Sequence, residues 1–260
     1  MIKAKKSLGQ NFLVDQKIID KIINIVDIEN KSILEIGPGT GNLTVNILKK
    51  NPKKMVVIEK DYQLVELLNK NFRDKIKIIN GDVLKIDENK LEKEALTVFG
   101  NLPYNISTEI LCKWILNIRN KKFWFDHLIL MFQKEVADRI VSEFNTKNYG
   151  RLSILANWKL DIKKICDVKP SSFSPRPKID SSILLLQPKL DFFSIKDPKN
   201  LEKLTRIFFM HRRKMLKKPY NQLFDGNPRI ANKLGINLDL RPQNLNFETY
   251  YKLTKEYENL

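Results

Sequence analysis

Residues 32–50 read SILEIGPGTGNLTVNILKK, and this stretch determines how the rest of the chain is interpreted. A short apolar run at residues 32–36 is followed by GPGTG and then by a helical pattern over residues 42–50. Strand, glycine-rich turn and helix in this order are typical of the first unit of a doubly wound α/β sheet. The glycines have the spacing G-x-G-x-G rather than the G-x-G-x-x-G of dinucleotide sites. The loop therefore predicts a ligand site without identifying the ligand.

The same alternation continues beyond this unit. Further short apolar runs, most of them followed by helix-like segments, are residues 55–58, 75–79, 96–99 and 127–132. Such a pattern predicts a parallel sheet covered by helices on both faces. Two later runs, residues 160–168 and 181–186, are joined by a proline-rich segment, which suits antiparallel pairing at the end of the sheet.

The chain changes character near residue 190. Residues 187–199 are rich in helix and strand breakers, and a polar, helix-like region follows them. We therefore expect an α/β protein with two domains: a Rossmann-like sheet domain over residues 1–189 and a small, mainly helical domain over residues 190–260.

Composition narrows the class of protein. The 260 residues are 42% hydrophobic and carry a formal net charge of +17, which makes a polyanionic partner such as nucleic acid plausible, although a lysine-rich composition alone can produce such a charge. No apolar run approaches the roughly 20 residues that a membrane span requires, and the N-terminus lacks the apolar core of a signal peptide. Cys112 and Cys166 lie far apart and form no CxxC pair. We expect a monomeric cytoplasmic protein without a membrane segment, a disulfide or a bound metal.

Polar side chains stand where the predicted strands end. They are Glu35, Glu59, Asp82 and Asn101, and in a parallel sheet such positions line one crevice. Glu59 lies about 20 residues beyond the glycine loop, where an acid commonly binds ribose hydroxyls of either NAD or S-adenosyl-L-methionine. The pyrophosphate of NAD favours positive surroundings, whereas S-adenosyl-L-methionine has no phosphate and carries a positive sulfonium that tolerates acids. The acids favour S-adenosyl-L-methionine as the cofactor and leave a dehydrogenase as the remote alternative.

The segment GNLPYN, Gly100 to Asn105, places an amide, a proline and an aromatic ring at the end of the apolar run at residues 96–99. An ordinary turn is the simplest interpretation. A methyltransferase acting on an exocyclic amine would use the same residues differently: the Asn101 oxygen and a carbonyl at Leu102, turned by Pro103, would accept the two amine hydrogens. Tyr104 would offer a flat face to a base taken out of its stack.

Nine segments in order carry a family resemblance. They are SLGQNFLVD (7–15), EIGPGTGNLT (35–44), VIEKD (57–61), GD (81–82), GNLPYNIST (100–108), QKEVADRI (133–140), YGRLS (149–153), SSFSPRPKIDS (171–181) and FFMHRRKML (208–216). In this combination the chain resembles the rRNA adenine N6-dimethyltransferases, most closely the branch that acts on the small ribosomal subunit (the KsgA/RsmA branch).

The resemblance implies a class I methyltransferase that dimethylates two adjacent adenosines in a hairpin near the 3′ end of 16S rRNA within the small ribosomal subunit. It implies that residues 1–189 are the catalytic domain, which binds S-adenosyl-L-methionine, and that residues 190–260 are the rRNA-binding domain. The cofactor residues that it implies are Asn11, Leu13, Gly37, Glu59, Asp82 and Asn101. It also implies that Asn101, Leu102, Pro103 and Tyr104 hold the target base, with Phe173 as a second aromatic against it. Each assignment has a structural alternative: Asn11 and Leu13 as ordinary loop residues, Glu59 and Asp82 as helix caps or surface acids, and Phe173 as a core residue.

A basic cluster lies in the C-terminal region, whose resemblance is looser. Its members are Arg212, Arg213, Lys214, Lys217 and Lys218. A solvated helix face is the usual interpretation of such a run, and a contact with rRNA phosphates is the functional one. Two other functions are retained: a resistance-type enzyme that methylates 23S rRNA, and a non-catalytic ribosome assembly or transcription factor on the same scaffold.

Overall fold

The structure is a computed structural model, and it describes residues 4–5, 8–118 and 122–260. The strands are β1 (Phe12–Leu13), β2 (Ser32–Ile36), β3 (Lys54–Glu59), β4 (Lys77–Asn80), β5 (Leu96–Asn101), β6 (Phe125–Gln133), β7 (Leu160–Val168), β8 (Phe173–Ser174) and β9 (Ser181–Pro188). The helices are α1 (Gln16–Ile23), α2 (Asn42–Leu48), α3 (Tyr62–Phe72), α4 (Ser107–Asn117), α5 (Lys134–Ile140), α6 (Arg151–Lys159), α7 (Pro198–Met210), α8 (Lys217–Phe224), α9 (Pro228–Lys233) and α10 (Phe247–Tyr257). In this part of the chain no helix is long and apolar enough to cross a membrane.

Seven strands form one sheet in the order β4-β3-β2-β5-β6-β9-β7. The first five pair in parallel, and β9 runs antiparallel to β6. β2 and β5 are central, and the chain order turns back between them, which is where an open α/β sheet binds its ligand. The predicted α/β sheet with antiparallel addition at its end is confirmed.

Burial explains why the strands read as continuous apolar runs. All five residues of β2 and the first five of β5 are buried, because helices cover both faces of the sheet. The core of this part of the chain joins residues of β2, β3, β5 and β6 with apolar side chains of α1, α2 and α3.

Helices α1 and α3 each begin at an aspartate cap. The Asp15 side chain accepts hydrogen bonds from the backbone of Lys17 and Ile18 at the start of α1. The Asp61 side chain likewise accepts from Gln63 N at the start of α3. In both cases an aspartate satisfies backbone N–H groups that have no partner within the helix.

The chain divides into two compact units by its contacts. The first takes in the described residues of Met1–Lys113, Ile118–Ala137 and Ile162–Pro188; the second takes in those of Trp114–Asn117, Asp138–Asp161 and Lys189–Leu260. The second unit thus includes Asp138–Asp161, which the predicted boundary at residue 189 places in the first domain. The reason is that α6 packs against α7 and α10. The assignment of a catalytic domain to residues 1–189 and an RNA-binding domain to residues 190–260 stays a prediction.

The second unit is mainly helical, as expected, and aromatic side chains fill it. Tyr250 on α10 is fully buried, packs edge-on against Phe208 and donates a hydrogen bond to Pro242 O at 2.7 Å. Tyr251 donates to Ile154 O at 3.0 Å and so ties α10 to α6. These rings give a short, polar stretch of helices an apolar interior of its own.

Candidate active site

One cavity in the first unit brings together the carboxyl ends of β2, β3, β4 and β5. The predicted residues that line it are Asn11, Leu13, Glu35, Gly37, Glu59, Asp82, Asn101, Leu102, Pro103 and Tyr104. They come from five separate stretches of sequence, so the sheet edge gathers them as the strand pattern predicts.

The glycine loop forms one wall, and two of its glycines are required by geometry. Gly37 and Gly39 have φ angles of +66° and +59°, in the left-handed region that other residues rarely adopt. A Cβ on Gly39 would also lie 2.7 Å from Cδ1 of Phe12, closer than side chains approach. At Gly37 the nearest other atom to such a Cβ is Asn101 O at 3.9 Å, so the space above the loop stays open to a ligand.

Glu59 is fixed at the end of β3 by backbone donors. Its carboxylate accepts hydrogen bonds from Gly39 N at 3.3 Å and from Asp61 N at 2.8 Å. Burial raises its pKa above the usual value, while these hydrogen bonds act in the opposite direction. A carboxylate held by two backbone groups at the cavity wall keeps lone pairs available for hydroxyl groups.

Glu35 lies deeper, with 2% of its surface exposed. Its side chain accepts a hydrogen bond from Thr44 Oγ1 at 2.7 Å. Burial raises the pKa of Glu35 to about 8; the hydrogen bond from Thr44 lowers it and the nearby charge of Glu59 adds to the increase. The free protein therefore carries this carboxyl in its neutral form at neutral pH.

Asp82 combines the two roles that the sequence left open. It lines the cavity, and its side chain also accepts from Leu84 N at 3.0 Å, capping a 3₁₀ turn. Lys60 Nζ lies 2.9 Å from its other oxygen, and this ion pair holds the pKa of Asp82 below its usual range. Asp82 is thus ionised and oriented at the rim of the cavity.

The N-terminal residues Asn11 and Leu13 belong to the cavity wall and are not free loop residues. Asn101 Nδ2 donates a hydrogen bond to Asn11 O at 2.8 Å. Leu13 is 5% exposed, joins the core and pairs with Phe173 in the small sheet of β1 and β8. The Asn101 amide is therefore oriented by a residue 90 positions away in sequence.

Tyr104 is held at its far end. Its hydroxyl lies 2.6 Å from Ser181 Oγ, at the start of β9, and burial raises the pKa of Tyr104. Leu102 is almost fully buried, and Pro103 O accepts a hydrogen bond from Ile106 N that leads into α4. The segment GNLPYN is thus both a turn and a wall of the cavity.

Phe173 departs from the arrangement implied by the resemblance. Its side chain is 2% exposed, belongs to the hydrophobic core and is absent from the described lining of the cavity. The core position, which is the alternative to a stacking role, is the one that the structure gives it.

The basic cluster lies in the second unit and is not uniform. Arg213, Lys214, Lys217 and Lys218 are exposed. Arg212 is half-buried and donates hydrogen bonds to Lys147 O at 2.7 Å and to Gln243 Oε1 at 3.3 Å. Arg212 therefore holds two segments of the second unit together, which makes it the weakest candidate of the five for a phosphate contact.

The sequence patterns did not indicate Lys113, which fixes a loop beside the cavity. Lys113 on α4 donates hydrogen bonds to Val83 O at 2.7 Å and to Ile86 O, and it pairs with Glu88 at 2.8 Å. It thereby fixes the loop that follows Asp82. Nothing in the local sequence marks this lysine, because its partners lie at least 25 residues away.

The residues fit S-adenosyl-L-methionine better than a dinucleotide. The cavity is lined by three carboxyl groups, with a glycine wall that leaves backbone atoms open to a ligand. Acids of this kind suit ribose hydroxyls and a sulfonium, and they disfavour a pyrophosphate.

The comparisons with known proteins agree with this geometry. Several curated relatives carry the name Ribosomal RNA small subunit methyltransferase A. The protein from Pelagibacter ubique (strain HTCC1062) is 66% identical over 259 residues, covering 100% of this chain and 98% of the relative. The protein from Ehrlichia ruminantium (strain Gardel) is 43% identical over 258 residues, covering 96% and 95%.

Solved structures extend the likeness to three dimensions. A dimethyladenosine transferase from Plasmodium falciparum superimposes with a TM-score of 0.78 at 29% identity, covering 95% of this chain and 98% of the other. The 23S rRNA methyltransferase ErmE superimposes with a TM-score of 0.69 at 21% identity, covering 95% and 100%, and this likeness indicates the fold alone. The family model described as ribosomal RNA adenine dimethylase matches residues 1–259, and the chain belongs to that family.

Proposed function

We propose that this chain uses S-adenosyl-L-methionine to dimethylate the N6 atoms of two adjacent adenosines in a hairpin near the 3′ end of 16S rRNA, within the small ribosomal subunit, as a step of subunit biogenesis. The observation that carries the proposal is the Asn101 amide, fixed by Asn11 O at the edge of an acid-lined cavity. The high identity to relatives named as small-subunit methyltransferases supports the choice of subunit.

We assign each group a role from its place in the cavity. S-adenosyl-L-methionine would supply an electrophilic methyl group. Glu59 would accept hydrogen bonds from the ribose hydroxyls, and Gly37 would leave its backbone accessible beside the ligand. Asp82 would accept a hydrogen bond from S-adenosyl-L-methionine at the other rim of the cavity, where the ion pair with Lys60 keeps the Asp82 carboxylate ionised. Asn11 and Leu13 would close the cavity from the N-terminal side.

The target amine would be held by acceptors rather than activated by a base. Because Asn101 Nδ2 is used by Asn11 O, the side-chain oxygen is the part of the amide that remains for the adenine amine. In the first transfer it would hold both amine hydrogens together with the Leu102 carbonyl and direct the nitrogen lone pair towards the methyl group. The methyl–sulfur bond would break as the methyl–nitrogen bond forms, and the displaced amine proton would leave to solvent. The Tyr104 hydroxyl is tied to Ser181, which fixes the plane of the ring against which the base would lie. Such catalysis is mainly positioning.

Phe173 is left out of this base site because of its burial. RNA contacts are assigned instead to the exposed Arg213, Lys214, Lys217 and Lys218 of the helical C-terminal region. Action as a monomer remains a prediction, and light scattering of the purified protein tests it.

The function is tested by mapping the product. The protein is incubated with labelled S-adenosyl-L-methionine and either small or large ribosomal subunits that lack the modification. We expect label on two adjacent adenosines of 16S rRNA, present as dimethyladenosine, and none on 23S rRNA. Label on 23S rRNA would favour the resistance-type function, and no label with bound subunits would favour a non-catalytic assembly factor.

A further inference from the structure

Asp61 is a buried carboxylate that the proposed chemistry does not use. Its side chain is fully inaccessible, and it caps α3 through Gln63 N at 3.1 Å. A buried carboxylate destabilises a protein unless its oxygens are well paired, and one helix cap does not satisfy both of them. The remaining partners show what else Asp61 holds.

Those partners come from the N-terminus. Lys5 Nζ lies 2.7 Å from Asp61 Oδ1, and Gln10 Nε2 donates to Asp61 Oδ2 at 3.0 Å. Lys5 N in turn donates to Gln10 Oε1 at 2.7 Å, so the two partners are also joined to each other. Burial alone would raise the pKa of Asp61, but the hydrogen bonds from Lys5 and Gln10 lower it below the usual value. We call these three side chains, Lys5, Gln10 and Asp61, the latch.

The latch fixes one end of a segment that forms a cavity wall. Residues 8–13, here called the strap, all line the cavity. At the other end of the strap, Phe12–Leu13 pair with Phe173–Ser174, and Asn101 Nδ2 bonds to Asn11 O. The strap is therefore attached at both ends, and only the latch depends on a charge.

The latch also contacts the acid assigned to the ribose. Asp61 N donates to Glu59 Oε1 at 2.8 Å, and Glu59 Oε2 accepts from Gly39 N. Asp61 thus contacts the latch partners Lys5 and Gln10 through its carboxylate, and it contacts Glu59, the proposed ribose-binding acid, through its backbone N–H group. Loss of the latch releases one wall of the cavity and leaves the acids of the strand ends in place.

We propose that Asp61 is a positioning residue that holds the strap against the methyl-donor cavity through Lys5 and Gln10 and thereby sets the affinity for S-adenosyl-L-methionine. The inference rests on the proposed function. Because the strap keeps its second attachment beside Asn101, release of the latch weakens donor binding more than it slows methyl transfer.

The test measures donor affinity by calorimetry for the parent, four single variants and one double variant. Lys5→Met removes the charge from a side chain that is 41% exposed, and Asp61→Asn removes the opposite charge while retaining a good helix cap. Lys5→Arg is the rescue, and Lys53→Met is the matched control, since Lys53 pairs with Glu94 at 2.7 Å on the surface. The double variant combines Lys5→Met with Asp61→Asn. Hydrogen exchange of residues 8–13, with and without donor, reports on the strap directly.

We expect Lys5→Met and Asp61→Asn each to weaken donor binding by roughly tenfold, the effect of removing a charge-assisted hydrogen bond. The double variant should be no weaker than either single variant, because both break the same ion pair. Lys5→Arg should bind like the parent, and Lys53→Met should be unchanged. Turnover at saturating donor should stay within about twofold for Lys5→Met, and strap exchange should be faster in both latch variants.

The outcomes separate this inference from the proposed function. A parent protein that binds no S-adenosyl-L-methionine overturns the proposed function and the latch with it. A parent that binds, with Lys5→Met binding equally well and exchanging no faster at the strap, overturns only the latch. An equal loss in Lys53→Met would assign the effect to general charge and overturn it too. If Asp61→Asn does not fold, Lys5→Met and its rescue still decide the question.

Discussion

The cavity of the first unit and the basic cluster of the second differ in how their charges are held. Glu59 and Asp82 each accept a hydrogen bond from a backbone N–H group, so their positions are fixed before any ligand arrives. In the described part of the chain, the side chains of Arg213, Lys214, Lys217 and Lys218 have no such partner.

This difference distinguishes two kinds of recognition. The cavity must place a small donor and one base to within fractions of an ångström, so its groups are positioned by hydrogen bonds. A surface that binds phosphates along folded RNA needs charge more than fixed geometry, because counterion release does not depend on one orientation. Single substitutions should therefore have large effects in the cavity and small effects in the cluster.

The largest effect is expected at Asn101. Asn101→Ala removes the acceptor for the target amine, and the single-turnover rate should fall roughly 10²–10³-fold, as when other groups that act in the transition state are removed. Binding of the donor and of the subunit should change far less. The control is Asn69→Ala, the same change at an exposed position on α3. An equal loss of rate and subunit binding would mean that Asn101 only shapes a turn.

The next effect concerns the buried Glu35. The folded protein holds the proton of Glu35 with a pKa raised by burial to about 8 from the usual 4.5, more tightly than the unfolded chain does. This tighter binding of the proton adds to the free energy of unfolding; the contribution is fully present below about pH 4.5 and is lost as the pH rises through about 8. In the parent the free energy of unfolding should therefore fall by about 3 kcal/mol from this group between pH 5 and 8. Glu35→Gln, which keeps an acceptor for Thr44, should abolish that fall.

Chemical denaturation of the ligand-free protein across this pH range measures the effect. The difference between parent and Glu35→Gln isolates this carboxyl from the other groups that titrate. Parallel stability curves would mean that Glu35 titrates normally and that water reaches it.

A smaller effect on affinity is expected at Glu59. Glu59→Ala should weaken binding of S-adenosyl-L-methionine by roughly 1.5–3 kcal/mol, the range for hydrogen bonds to a charged group. Glu59→Gln should fall between parent and Glu59→Ala because it keeps one oxygen. The control Glu66→Ala, on the exposed face of α3, should bind like the parent. Unchanged calorimetric affinity in a folded Glu59→Ala protein would contradict the ribose assignment.

The sheet and its ligand edge were predictable because they follow from local patterns. A parallel strand buried on both faces must be apolar throughout, so β2, β3 and β6 are visible in the sequence, and their carboxyl ends indicate the cavity. The sequence left Phe173 either stacked against the target base or buried in the core, and it could not decide between the two. A two-residue strand pairs Phe173 with Leu13, and two residues are too few to produce a period.

Long-range side-chain contacts were also beyond the sequence patterns. Lys5 and Asp61 are separated by 56 residues, and the sequence indicates only that Asp61 starts a helix. The grouping of Asp138–Asp161 with the C-terminal helices depends in the same way on packing between α6 and α7. Local pattern identifies the elements here, whereas the partners of polar side chains are set by the fold.

The smallest effect per residue is expected in the basic cluster. Arg213, Lys214, Lys217 and Lys218 changed together to alanine should leave affinity for S-adenosyl-L-methionine intact and weaken binding to the small subunit. The slope of log affinity against log salt should flatten by up to about 0.7–0.9 for each phosphate that the variant no longer neutralises. Arg212 is left unchanged because its hydrogen bonds to Lys147 O and Gln243 Oε1 stabilise the second unit.

A control with the same change in net charge makes this prediction specific. Lys196, Lys199, Lys252 and Lys255 are exposed in the same unit, and their replacement by alanine also removes four positive charges. The slope of log affinity against log salt should be shallower for the cluster variant than for the control, because only charges that neutralise phosphates release counterions on binding. Equal slopes would mean that the cluster contributes through overall charge alone, and the RNA-binding surface would then have to lie elsewhere on the chain.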